Sequence, residues 1–317
     1  MLDVLNLALP YFGLIFIGYA CGKASGLPEQ GLAWMNFFLL YVSLPALLFG
    51  IMSTTPFEEL NNPPFLIATT MGTASAFVLA LFAGRLLGRL RLREAALAGL
   101  SGAYGNIGYM GPGLALAVLG PNAAAPTALI LCCDSILLFT LVPLLVALAD
   151  SKHASWSQTL GVVVRQIVFN PLIMSACAGA LAAALHFHPP VAIQNTLGFL
   201  QNAAAPTALF VLGVTVALRP FQRLPWEVPG VIAIKLIIHP VMVFGCMMLF
   251  GPFAQPWAAA AVLIAALPPA LNVFVIARQN DAWIEPASVA VLMGTFASVV
   301  TLTSLMWFIQ SGRLVFP

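Results

Sequence analysis

The chain has 317 residues, of which 61% are hydrophobic and only 7% are charged, with a formal net charge of +2. A soluble domain carries roughly 25% charged residues, so this composition excludes an ordinary soluble fold and favours a protein surrounded by lipid. No basic run is interleaved with aromatic residues, which argues against a nucleic-acid partner. The five cysteines lack metal-ligand spacing, so we expect neither a metal nor a cofactor.

Ten apolar segments of about 20 residues, separated by Pro, Gly or charged residues, predict ten transmembrane helices. We number them span 1 to span 10. In chain order they cover residues 4–22, 31–52, 64–86, 95–119, 126–149, 160–184, 192–217, 229–250, 257–277 and 285–309. The sequence therefore predicts an all-α, multi-pass integral membrane protein.

The basic residues orient these spans, because cytoplasmic loops are enriched in Lys and Arg. Ten of the twelve follow odd-numbered spans: Lys23, Arg85, Arg89, Arg91, Arg93, Lys152, Arg165, Arg219, Arg223 and Arg278. The other two are Arg313 in the C-terminal tail and Lys235 inside span 8. This alternation predicts a protein of the cell inner membrane with both termini on the outer, periplasmic face.

An even number of spans with both ends outside divides into two halves of five, at residues 1–150 and 151–317. Since each half has an odd number of spans, the second half is inverted relative to the first, as in many secondary transporters. Span 2 carries Pro45 and span 7 carries Pro206 at a similar depth. We therefore predict one transporter domain made of two inverted repeats, with Pro45 and Pro206 shaping its scaffold.

Spans 4 and 9, which correspond in the two halves, are predicted to be broken. Residues 105–113 read GNIGYMGPG and residues 267–272 read LPPALN, and such Gly and Pro content interrupts helices. Non-helical backbone at membrane depth is tolerated where it lines a cavity, and half-helix N-termini favour an anion. The candidate substrate-binding residues are Asn106, Gly108, Tyr109, Pro112, Pro268, Pro269 and Asn272. The alternative is two kinked packing helices whose Asn side chains cap frayed ends.

The segments GNIGYMGPGLALAVLG and LPPALNVFVIA resemble the two signature segments of the auxin efflux carrier family. The resemblance covers essentially the whole chain, and the short loop between spans 5 and 6 fits the bacterial branch. It implies a fold similar to that of bile acid sodium symporters, with broken helices crossing at the site. It also implies a carboxylate substrate such as malonate or malate. Tyr109 to Gly113 departs from the small or branched apolar residues common in the family, which puts the exact substrate in doubt.

Three ionisable residues inside predicted spans are candidates for a functional role, because a charge near the bilayer centre costs roughly 2.5–3.5 kcal/mol on insertion scales. Asp134 lies near mid-depth in span 5, and Lys235 and His239 are four residues apart in span 8. We predict that Asp134 exchanges a proton or pairs with Lys235, while Lys235 or His239 attracts the substrate. The alternatives are a snorkelling Lys235, a His239 that bonds a carbonyl freed by Pro240, and an Asp134 that only joins neighbouring helices.

The sequence thus predicts a carrier of a small organic anion that works by alternating access. We expect a rigid unit holding spans 4 and 9 to slide against a scaffold that includes spans 2 and 7. A proton is favoured over sodium as the coupling ion, and a homodimer is left open. The alternatives are a channel or a membrane sensor. An enzyme is not expected, because no catalytic motif is found.

Overall fold

The computed structural model describes residues 2–149, 156–187, 189–218 and 224–314. Within these ranges the chain is helical almost throughout and contains no β-strand, which confirms the all-α prediction. Three of the basic residues used to orient the spans, Lys152, Arg219 and Arg223, lie outside the described residues.

Six of the described helical segments are long and apolar enough to cross a membrane. They are Gln30–Thr54, Pro63–Leu86, Pro121–Ala149, Val191–Leu218, Val228–Phe250 and Ile284–Gln310. Two shorter apolar helices, Pro171–Ala184 and Gln255–Ala265, belong to predicted spans that are interrupted in the structure. The number of ten spans stays a prediction.

The chain folds as two compact units. Unit 1 comprises Met1–Pro63, Gly108–Cys132 and Phe169–Pro220, and unit 2 comprises Pro64–Ile107, Cys133–Val168 and Phe221–Pro317. Both units take segments from both halves of the chain. The two units are therefore interleaved in sequence and do not coincide with the predicted repeats.

Unit 1 is built from helices that approach one another at glycines. Its helices are α1 (Leu2–Ser25), α2 (Ala33–Phe38), α3 (Leu44–Thr54), α4 (Phe57–Leu60), α7 (Gly111–Leu119), the start of α8 (Ala124–Ala149), α10 (Pro171–Ala184) and α11 (Val191–Leu218). A Cβ added at Gly18 or Gly213 would collide with the backbone carbonyl of Phe210 or Ile15, respectively. Small residues thus allow α1 and α11 to pack backbone to backbone, as is usual between membrane helices.

Unit 2 contains the remaining helices and the paired breaks described below. They are α5 (Pro63–Leu86), α6 (Leu92–Ala103), the rest of α8, α9 (Trp156–Val168), α12 (Val228–Ala233), α13 (His239–Phe250), α14 (Gln255–Ala265), α15 (Leu271–Gln279) and α16 (Ile284–Gln310). Gly72 packs against Val243 and Gly102 against Ala80, so small residues again set close helix contacts.

Two short π-helical segments precede prolines. Leu39–Ser43 leads into α3 at Pro45, and Ile234–Ile238 joins α12 to α13 at Pro240. The next backbone N–H in each case bonds five residues back, from Leu44 to Leu39 and from His239 to Ile234. Because a proline removes one donor and its ring crowds the preceding turn, a local π-bulge relieves the conflict without ending the helix.

Span 6, predicted as one helix over residues 160–184, is interrupted, so this prediction was wrong. The chain leaves the helix after Val168 and starts α10 at Pro171. Asn170 is extended, as expected before a proline, and its side chain accepts hydrogen bonds from the N–H groups of Leu172 and Ile173. Asn170 and Pro171 therefore form a helix start inside an apolar run.

Candidate functional site

The predicted breaks in spans 4 and 9 are both present. Helix α6 ends at Ala103 and α7 begins at Gly111, while α14 ends at Ala265 and α15 begins at Leu271. The local cause is the one expected from the sequence, since Pro268 and Pro269 supply no N–H groups and the Gly-rich stretch has a weak helix propensity.

Within unit 2 the two breaks pair with each other through their backbones. Asn106 N–H donates to the Pro268 carbonyl over 2.7 Å, and Ala270 N–H donates to the Tyr104 carbonyl over 3.0 Å. Gly105 and Pro269 thereby form an isolated antiparallel bridge. We call residues 104–106 and 268–270 the crossover. Their mutual bonds satisfy backbone groups that lipid cannot satisfy.

Asn106 lies at the centre of the crossover with an unused donor. Its side chain is 1% exposed, and its Nδ2 has no hydrogen-bond partner among the described residues. Leaving a buried amide unpaired costs about 1–3 kcal/mol. A donor of this kind is available to a bound solute or to an ordered water.

Asn272 is linked to the crossover by an interaction with the side chain of Tyr104. The Tyr104 hydroxyl interacts with the side chains of Asn272 and Ser135, and the Tyr104 ring packs against Phe139 at a centroid distance of 5.5 Å. Asn272 lies in the first turn of α15 and is partly exposed. The structure thus brings Asn106, Pro268, Pro269 and Asn272 into one cluster.

The other candidate residues of span 4 fall in unit 1. Tyr109 and Pro112 are buried, and Gly108 is partly exposed. Pro112 occupies the first turn of α7, where its missing N–H is not needed by the helix. The carbonyl of Gly113 accepts a hydrogen bond of 2.7 Å from the Tyr11 hydroxyl, which fixes the start of α7 against α1. The scaffold prolines, Pro45 and Pro206, also lie in unit 1.

Lys235 is fully buried beneath the crossover, so the snorkelling alternative is wrong. Its Nζ donates to the Ala265 carbonyl at the end of α14 and contacts His239 Nδ1 at 3.1 Å. A Cβ built at Gly105 would lie 3.3 Å from this Nζ, so the ammonium group borders the crossover directly. In its ammonium form Lys235 also places a positive charge at the negative end of the α14 dipole.

Among the described residues, the ring nitrogens of His239 contact side chains rather than a carbonyl freed by Pro240. Its Nδ1 faces Lys235 and its Nε2 lies 3.3 Å from the Thr73 hydroxyl on α5. Asp134 is 4% exposed, interacts with the Thr73 hydroxyl and attracts Lys235 electrostatically. Its Oδ1 has no hydrogen-bond partner within the described part of the chain. The three ionisable residues therefore belong to one group in unit 2.

Sequence reasoning missed three polar residues of this group: Thr73, Tyr104 and Ser135. Tyr104 directly precedes the Gly-rich break and Ser135 follows Asp134, so their positions were a usable signal. Thr73 lies on α5, which has no unusual sequence feature at that point. Its role depends on packing against α13 and could not be read from spacing.

Unit 1 contains a separate cavity of about 670 Å³. Its polar lining includes Asn122, Gln194 and Gln201, and all its lining side chains are neutral. None of the predicted site residues lines it within the described ranges. Without a positive charge it is a poor match for an anion, and the crossover remains the better candidate.

Two broken helices paired through their backbones, with an unused amide donor and the buried Lys235 side chain beside them, are features typical of proteins that move a polar solute through a membrane. This is the class of membrane transport proteins. Comparison with known proteins agrees, since residues 3–306 match the family model described as "Membrane transport protein". The chain belongs to this family, which is the auxin efflux carrier family whose signature segments it resembles.

Two relatives extend over nearly the whole chain. One, from Rhizobium meliloti (strain 1021), carries the name "Putative malonate transporter". It is 44% identical over 315 residues, covering 99% of this chain and 98% of its own. The other, from Methanothermobacter thermautotrophicus, is called "Uncharacterized transporter" and is 25% identical over 295 residues, which cover 91% of this chain and 93% of its own. The chain is thus a membrane transporter.

Proposed function

We propose that this transporter carries a small mono- or dicarboxylate, with malonate and malate as first candidates, across the cell inner membrane. The observation that carries the proposal is the unpaired, buried Nδ2 of Asn106 in the crossover, next to the ammonium group of Lys235. A carboxylate accepts hydrogen bonds and brings the negative charge that this site lacks. The name of the 44% identical relative supports the same class of substrate.

In this proposal the carboxylate is held by Asn106 and Asn272, with Pro268 and Pro269 shaping the backbone between them. The start of α15 adds free N–H groups and a positive dipole end, because no side chain of the described residues caps it. Gly108, Tyr109 and Pro112, which the sequence predicts as binding residues, keep that role as a proposal. Lys235 attracts the anion, and Asp134 and His239 couple its binding to a proton rather than to sodium.

Alternating access is the proposed mechanism. The crossover and its ionisable group lie in unit 2, whereas Pro45 and Pro206 lie in unit 1. In the proposed mechanism a rigid unit that holds spans 4 and 9 slides against a scaffold that includes spans 2 and 7. The ten-span topology, the inverted repeats at 1–150 and 151–317, and termini on the periplasmic face belong to the same proposal. A homodimer is compatible with it.

The first test is thermal stabilisation of the detergent-purified protein by malonate, malate, lactate, pyruvate and an indole acid. A ligand present at 100 times its Kd stabilises the folded state by about 2.7 kcal/mol. Asn106→Ala and Asn272→Ala should each abolish the shift given by the best acid. Asn280→Ala is the matched control, because Asn280 Nδ2 bonds the Ile276 carbonyl at the far end of α15.

Reconstituted liposomes then separate a carrier from a channel or a sensor. A carrier gives saturable uptake and is accelerated by substrate trapped on the opposite side of the membrane. If full transport persists in both Asn variants, the crossover is not the binding site. If uptake neither saturates nor shows countertransport, the channel alternative is correct.

A further inference from the structure

Four buried side chains in unit 2 are linked in series. Lys235 Nζ contacts His239 Nδ1 at 3.1 Å, and His239 Nε2 contacts Thr73 Oγ1 at 3.3 Å. The Thr73 hydroxyl in turn lies beside the Asp134 carboxylate. The series runs through α13 and its preceding π segment, α5 and α8, and every member is at most 4% exposed.

We propose that this series is a proton wire, in which His239 and Thr73 carry a proton between Lys235 and Asp134. The wire interconverts a charged pair, ammonium and carboxylate, with a neutral pair, amine and carboxylic acid. The inference rests on the proposed function only in taking Asp134 and Lys235 as the groups that are coupled to the substrate.

The donor directions are consistent in the charged state. Lys235 donates to His239 Nδ1, the protonated Nε2 of His239 donates to Thr73, and the Thr73 hydroxyl donates to Asp134. The Lys235 ammonium group keeps a second donor for the Ala265 carbonyl. Each of the three links is a direct contact between side chains.

The neutral state is reached by moving one proton at each link. Lys235 gives a proton to Nδ1, Nε2 gives its proton to Thr73, and Thr73 gives its own to the carboxylate. Each N–H or O–H bond that breaks is replaced by one that forms, so the net result is one proton moved from Lys235 to Asp134. The hydrogen bonds then all point the other way, and Lys235 still has a hydrogen for Ala265.

Other titratable groups do not replace these links. Tyr104 and Cys133 are the further titratable side chains that face Asp134, and Lys235 is the charged group that faces His239. Neither Tyr104 nor Cys133 contacts His239 in the described hydrogen bonds. The path from Asp134 to the imidazole therefore runs through the Thr73 hydroxyl.

The wire lets the transporter raise the population of the charged pair when an anion is present. A lone charge within the bilayer is costly, and a neutral pair reduces that cost for the empty protein. The charged state puts an ammonium group beside Gly105, where an anion in the crossover would stabilise it. Substrate binding would thus favour the tautomer of His239 that carries hydrogen on Nε2.

The test measures the tautomer of His239 by nitrogen-15 NMR on histidine-labelled protein in lipid, without any ligand. The His239→Gln spectrum identifies the signal. Asp134→Asn removes the carboxylate that stabilises the ammonium form of Lys235, and its amide can donate to Thr73 as the carboxylic acid does, so we expect the ratio of Nε2–H to Nδ1–H to fall at least tenfold. An unchanged ratio in Asp134→Asn would overturn the proposal.

A double-mutant cycle then asks whether the effect passes through Thr73. In a Thr73→Val background, Asp134→Asn should leave the His239 tautomer unchanged, whereas in Thr73→Ser it should act as in the wild type. Thr69→Val is the matched control, because Thr69 is equally buried one turn away on α5 and bonds only its own helix at Phe65 and Leu66.

An equal response in the Thr73→Val and Thr69→Val backgrounds would show a direct electrostatic effect and refute the wire. If Thr73→Val does not fold, Thr73→Ala tests the same loss of the hydroxyl. Because no substrate is used, this result is independent of the proposed function. The proposed function fails by a different result, namely that none of the acids stabilises the protein against thermal unfolding.

Discussion

One methyl group added at Gly294 tests the geometry of the crossover. Gly294 lies on α16 against Pro269, and a Cβ there would lie 2.5 Å from Pro269 Cδ and 3.1 Å from its Cγ. Ordinary contacts begin near 3.4 Å, so the ring or the helix must move by close to 1 Å. A proline ring cannot rotate away, and the neighbouring Pro268 carbonyl is bonded to Asn106 N–H.

Overpacking of this kind costs about 1–3 kcal/mol. Gly245→Ala on α13 is the matched control, because a Cβ at Gly245 meets no atom within 4 Å of the described structure. It also reproduces the gain in helix propensity, about 1 kcal/mol, that Gly294→Ala receives. At about 2–4 °C per kcal/mol, the Tm of Gly294→Ala should be roughly 2–12 °C below that of Gly245→Ala.

Thermal unfolding of both purified variants, with and without the best-binding acid, measures this difference. We expect Gly294→Ala to lose ligand-induced stabilisation as well, since the displaced ring shifts the backbone that positions Asn106. Equal Tm values and equal ligand responses in the two variants would show that Pro269 does not hold the crossover as described.

Three further substitutions have defined outcomes. Asp134→Asn should abolish the pH dependence of transport in liposomes, and an unchanged pH profile would remove Asp134 from the mechanism. Lys235→Met keeps the length of the side chain without its charge, so we expect at least a tenfold loss of affinity for the acid in titrations of thermal stability; wild-type affinity would contradict a role in anion attraction. Asn170→Ala removes the cap of α10 and should lower the unfolding free energy by about 1 kcal/mol while leaving ligand binding intact, which calorimetry of the purified variant can check.

The breaks in spans 4 and 9 could be predicted because they have local causes. Adjacent prolines and clustered glycines weaken a helix wherever it lies. The interruption of span 6 had a local signal as well, since Asn170-Pro171 is a common helix start. It was missed because the flanking residues are apolar on both sides, and apolar length was the main criterion for a span.

The pairing of the two breaks could not be derived from the residues themselves. The bond from Asn106 to Pro268 joins segments 162 residues apart, and nothing in their spacing specifies it. The same holds for Lys235 and Thr73. A spacing of four residues predicts that Lys235 and His239 share a face of one helix. Their other partners, Ala265 for Lys235 and Thr73 for His239, depend on the packing of α14 and α5.

The balance of donors and acceptors in the crossover supports the proposed anionic substrate. Two broken helices free backbone groups, and the bonds from Asn106 to Pro268 and from Ala270 to Tyr104 satisfy part of them. What remains near the crossover is a surplus of donors, namely the Asn106 amide, the start of α15 and the Lys235 ammonium group. Asp134 offsets the positive charge only from a distance, since it reaches Thr73 rather than Lys235. A carboxylate bound in the crossover would satisfy the donors and the charge together, and we therefore expect neutral isosteres such as amides to stabilise the protein far less than the corresponding acids.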